Sequence, residues 1–163
     1  MNSEELIISI VRIAGSVPVL FFPFWGSILA IFVDLSDLFM MGYINIGGVS
    51  NYQELDKFLD LFYMSLFLMV SLRWNSREKF ISISLFVFRM VGVVLFFIFD
   101  MRIILVFFPN IFEFWFVLIS GYKYFNQNKS ISPSIVFKIL LIAFALKLSH
   151  EIFIHHIKTL DNY

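Results

Sequence analysis

The chain has 163 residues, 60% of them hydrophobic and 15% charged, with a formal net charge of zero and a mean hydropathy of +0.89. So large an apolar excess cannot be buried inside a short water-soluble chain, and it predicts a lipid environment. The balanced charge excludes a nucleic-acid footprint, and the absence of cysteine excludes disulfides, thiolate catalysis and Cys-ligated zinc or iron–sulfur centres.

The N-terminus carries Glu4 and Glu5 ahead of its apolar run, and Arg12 interrupts that run. Both features are wrong for a cleaved secretory signal, so the segment is expected to be retained. From Glu5 to Ser16 the polar residues Glu5, Ser9, Arg12 and Ser16 fall on one helical stripe, which predicts an amphipathic helix ended or kinked by Pro18. Two placements fit it: lying in the membrane interface, or extending the first span as one long kinked helix.

A membrane-crossing helix needs roughly 20 mostly apolar residues. Segments that meet or approach this run from Val17 to Val33, Leu55 to Leu72, Phe80 to Phe99, Ile103 to Gly121 and Ser134 to Ile154. The expected architecture is therefore all-α, a single polytopic integral membrane bundle over residues 1–163 with about five transmembrane helices and an N-terminal amphipathic helix. Only Asp100, Met101 and Arg102 separate the third and fourth segments, which must form an antiparallel hairpin. Asp34 to Glu54 reads as the longest connection, and Tyr122 to Pro133 as an exposed polar loop.

Arg12, Arg73, Arg77, Lys79, Lys123 and Lys129 fall on one side of this arrangement, against Lys57, Arg102 and Lys158 on the other. The positive-inside rule then places the N-terminus in the cytoplasm and the C-terminus outside the cell membrane.

Three groups of ionisable residues are candidate sites. Arg89 lies 12 residues before Met101 and Glu113 lies 12 after it, so the hairpin brings both to one depth as an intramembrane ion pair. Gly92 permits close helix approach, Asn110 can hydrogen-bond on the face of Glu113, and Pro109 predicts a kink that frees the carbonyl of Leu105. The pair is either a structural clasp or a ligand or proton site.

The second group is acidic. Asp34 and Asp37 close the first span, while Asp56 and Asp60 open the second and share a helix face. Convergence of the four would call for Mg²⁺, Ca²⁺ or Mn²⁺. The plainer reading is helix-end aspartates that complement the helix dipole, with Lys57 pairing to its neighbours.

The spacing Asp34-x-x-Asp37 with Asp56-x-x-x-Asp60 resembles the four-aspartate signature of CDP-alcohol phosphotransferases over residues 34–60. The resemblance implies a divalent-metal site at all four, with Asp60 as the catalytic base toward an acceptor hydroxyl. The sequence departs from that pattern at Leu38, Met41, Gly42 and Tyr52, and one span precedes Asp34 where the family has two.

The third group is His150, Glu151, His155 and His156. One extra residue relative to the His-Glu-x-x-His motif turns His150 and His155 about 140° apart and removes protease chemistry. Glu151 and His155 remain a possible metal-ligating pair.

The first expectation for function is a non-catalytic accessory or structural subunit of a membrane complex, surrounded by membrane lipids and in contact with other membrane subunits or a second copy. The alternatives are the metal-dependent lipid head-group transferase and an ion or proton transport component using Arg89, Glu113, Asn110 and Asp60.

Overall fold

The computed structural model describes the backbone of residues 3–44, 52–101, 103–126 and 130–160, and the side chains of 5–36, 54–101, 103–126 and 130–149. Every element among the described residues is helical, and the chain divides into two compact units, Met1–Trp74 and Asn75–Tyr163.

The first unit holds α1 (Ser3–Ser16), a 3-10 turn (Val17–Leu20), α2 (Pro23–Ile44) and α3 (Tyr52–Ser71). Pro18 suits the first turn of the 3-10 segment, and Pro23 occupies the first position of α2, where its missing N–H would have had no helical partner. Gly26 sits against the backbone of Val19, where an added Cβ would come within 2.4 Å, so the turn folds tightly onto α2. Gly15 against Val33 and Arg12 against Asp34 extend the same antiparallel register. Helix α1 therefore doubles back along α2. It does not continue into α2 as one long kinked span, because the chain turns back between the 3-10 segment and Pro23. Helix α3 packs on both α1 and the 3-10 turn.

Helix α2 also corrects the extent of the Asp34–Glu54 connection. It runs through to Ile44, so Asp34 lies inside a helix and not at its end. The physical cause is the run Leu35 to Met41, rich in helix formers and free of proline. Residues 45–51, which include Gly47 and Gly48, lie outside the described residues.

The second unit holds α4 (Ser76–Phe99), α5 (Ile103–Phe107), α6 (Ile111–Phe125) and α7 (Pro133–Leu160). A capping box opens α4: Asn75 and Glu78 exchange side-chain and backbone hydrogen bonds. Asp100 ends it in the left-handed conformation (φ 51°) and turns the chain into the hairpin. The fourth apolar segment is broken, not merely kinked. Pro109 disfavours helical backbone at Phe108, so helix stops at Phe107 and resumes at Ile111. Helix α6 packs against α4 and α7. Among the described residues, Ser76–Phe99 (mean hydropathy 2.5) and Ile103–Phe125 (2.1) are long and apolar enough to cross a membrane.

Candidate functional site: a buried charge network

In the first unit one arginine gathers three carboxylates. Arg12 Nη1 donates to Asp56 Oδ1 at 3.0 Å, Nη2 donates to Asp60 Oδ1 at 2.8 Å, and Nη2 also meets Asp34 Oδ1. Lys57 Nζ donates to Asp56 Oδ2 and, at 3.2 Å, to Asp60 Oδ2. The Arg12 residue is 3% exposed and Asp60 is also buried.

Local sequence explains each placement. Asp56 and Asp60 stand one turn apart on α3 and look the same way. The planar fork of Arg12 presents donors on two separate nitrogens, Nη1 and Nη2, to three carboxylates, a wider reach than the single nitrogen of a lysine gives. Ser16, one turn after Arg12, returns its hydroxyl to the Arg12 carbonyl at 2.6 Å. The five side chains carry three negative and two positive charges.

Carboxylate oxygens of Asp34, Asp56 and Asp60 lie within 4.8 Å of one another, a spacing that a divalent cation could also bridge. In this arrangement the cations beside them are Arg12 and Lys57 of the same chain. The side chains of Asp37, the fourth aspartate, and of Glu151 and His155 lie outside the described residues. Arg12 was legible only as part of a polar stripe, because its partners stand 22, 44 and 48 residues away.

The second unit treats Arg89 differently from expectation. Arg89 Nη1 donates to the backbone carbonyl of Phe108 at 2.8 Å, and among the described residues no ion pair joins it to Glu113. The break at Pro109 is the cause. It leaves the Phe108 carbonyl outside the helical ladder and able to accept, and the tight turn at Asn110 (φ −77°, ψ 71°), closed by the Ile111 N–H on the Pro109 carbonyl, interrupts the helical register between Phe108 and Glu113. The same register appears at Ser82 and Trp115, where Trp115 Nε1 donates to Ser82 Oγ at 2.9 Å. Arg89 lies seven residues past Ser82, and Phe108 seven before Trp115. Gly92 makes the approach possible, since a Cβ there would stand 2.2 Å from that of Phe108. Arg89 is 7% exposed, and its buried Nε has no hydrogen-bond partner. Asn110 Nδ2 donates to Glu113 Oε2 at 3.0 Å within the first turn of α6.

A further buried ion pair was missed at the sequence level. Glu78, 2% exposed, accepts from Lys123 Nζ at 3.2 Å and from the backbone N–H of Asn75 at 3.1 Å. The Asn75-x-x-Glu78 capping pattern was the available signal. Lys123 arrives from the last turn of α6, which complements the negative end of that helix.

Compared with family models, with curated proteins and with solved structures, the chain matches none.

Proposed function

We propose that this chain is a small integral membrane protein acting as a non-catalytic structural or accessory subunit of a membrane complex. The observation that carries this reading is the engagement of Asp34, Asp56 and Asp60 by Arg12 and Lys57, which gives the acidic residues a clasping role within the unit. Two features support the membrane setting. Only 28% of the most apolar window of α4 and 39% of that of α5–α6 are buried, whereas the core helix of a soluble protein is mostly covered. Large apolar side chains such as Phe80, Ile98, Phe107, Phe125 and Phe137 face outward. The second, third and fifth apolar segments fall on α3, α4 and α7, while the first takes in the 3-10 turn and the chain reversal before α2 and the fourth is broken between α5 and α6.

The second reading is the divalent-metal-dependent head-group transferase, using Asp34, Asp37, Asp56 and Asp60. Convergence of three of those carboxylates favours it. It requires Arg12 and Lys57 to withdraw when the metal binds.

Purification from native membranes in gentle detergent, with mass spectrometry and elemental analysis, separates the two. Stoichiometric partner subunits without a bound divalent metal support the accessory role. A lone chain holding a metal that is lost in an Asp56→Asn/Asp60→Asn variant supports the transferase.

A further inference from the structure

Helix α1 is amphipathic in the opposite sense from a surface helix. Its polar stripe, Ser9, Arg12 and Ser16, is buried against α2 and α3, while Leu6, Ile7, Ile10, Ile13 and Val17 face outward. Ile10 is 55% exposed. A helix on a protein surface or lying in the membrane interface turns its polar stripe to water and buries the apolar one. The reverse arrangement is stable where the surroundings are hydrocarbon, because a charge in a membrane faces the bundle interior and pairs there.

Length agrees with that setting. The 14 residues of α1 rise about 21 Å, and the four of the 3-10 turn add about 8 Å, which together match a hydrocarbon core of about 30 Å. The 22 residues of α2 and the 20 of α3 rise about 33 and 30 Å. No charged residue occurs between Arg12 and Asp34. At the turn between α1 and α2 stand Phe21, Phe22 and Trp25, all outward; Trp25, 55% exposed, is the residue type enriched at a membrane–water boundary.

We infer that α1 itself crosses the bilayer, with its outer face against lipid acyl chains, so that the first unit is a three-helix spanning bundle and Ser3 lies on the opposite side of the membrane from the α1–α2 turn and from Arg73. This inference rests on the membrane setting proposed above, and not on the accessory-subunit role. It revises the sidedness read from loop charges. Arg12 belongs to the buried network and not to a basic loop. With Arg73, Arg77 and Lys79 cytoplasmic, the start of α1 is external.

The absence of cysteine makes the test direct. Single-cysteine variants Ser3→Cys and Ser76→Cys of the full chain are labelled in sealed membranes with a membrane-impermeant maleimide, and a spin-labelled Ile10→Cys variant is probed with O₂ and a water-soluble nickel chelate. The expected result is loss of Ser3→Cys labelling from the face that labels Ser76→Cys, and the converse, with the label at position 10 relaxed by O₂ in preference to nickel. Labelling of both cysteines from one face overturns the inference and leaves the membrane setting intact. A label at position 10 shielded from both reagents places a protein partner, not lipid, on α1 and also overturns it. Recovery of the chain in the soluble fraction with all three positions open to water removes the membrane setting and the inference together.

Discussion

Asp60 Oδ1 accepts a 2.8 Å hydrogen bond from Arg12 Nη2 across 48 residues of sequence, and this contact ties α1 to α3 at the buried end of a five-residue charge network. Removing the guanidinium takes the cation from Asp34 and leaves Asp56 and Asp60 with Lys57 alone. Arg12→Met is expected to destabilise the chain by about 3–5 kcal/mol, the usual cost of breaking a buried pair from one side. Arg12→Lys is expected to recover part of that loss, because one ammonium cannot span the oxygens that the guanidinium fork reaches. Thermal unfolding in detergent, followed by helical circular dichroism, reads both variants. Equal stability of Arg12→Met and the parent chain would refute the clasp.

A network in which every carboxylate already meets Arg12 or Lys57 needs no added cation to hold it. Melting temperature is expected to be unchanged by EDTA and by millimolar Mg²⁺, Ca²⁺ or Mn²⁺. Stabilisation that grows with metal concentration and vanishes in Asp56→Asn/Asp60→Asn would instead follow from metal binding to the folded state.

Arg89 and Glu113 are expected to be weakly coupled. Arg89→Leu leaves the Phe108 carbonyl without its donor, a loss of about 1–3 kcal/mol. It does not strand a paired carboxylate. A double-mutant cycle of Arg89→Leu with Glu113→Gln should therefore give a coupling energy below about 0.5 kcal/mol. Coupling of several kcal/mol would restore the direct ion pair.

Gly92→Ala should force α4 away from Phe108 and cost about 1–3 kcal/mol through overpacking. Shortening the opposing side chain in Gly92→Ala/Phe108→Ala relieves only part of this, since the Phe108 Cβ is itself the contacted atom. A double variant no less stable than Phe108→Ala alone would show that the close approach is not required.

Glu78→Gln should weaken both the start of α4 and the tie to Lys123. The ion pair is buried on its acidic side, so the Glu78→Gln/Lys123→Met cycle is expected to show coupling of about 0.5–3 kcal/mol. That coupling should persist at high salt, unlike that of an exposed pair.

Much of the local organisation was legible in the residues themselves. Apolar runs marked the helices, Pro18 and Pro109 marked interruptions, Asp100–Arg102 marked the hairpin, and the four-residue interval placed Asp56 and Asp60 on one face. These follow from the 3.6-residue period and from the missing N–H of proline, which act within a turn or two of chain. Relationships between helices were not legible in that way. The symmetric count about Met101 set Arg89 opposite Glu113, but the break in the helix at Phe108–Asn110 interrupted the register and gave Arg89 a carbonyl instead.

The stripe on α1 marks the division most clearly. Its spacing determined that Glu5, Ser9, Arg12 and Ser16 share a face, since a helix repeats locally whatever surrounds it. Which way that face looks was decided only by the tertiary structure, when the chain reversed between the 3-10 segment and Pro23 and brought Arg12 against Asp34, Asp56 and Asp60. A periodic pattern records which residues point together; only the packed partners fix whether they point toward the core or away from it.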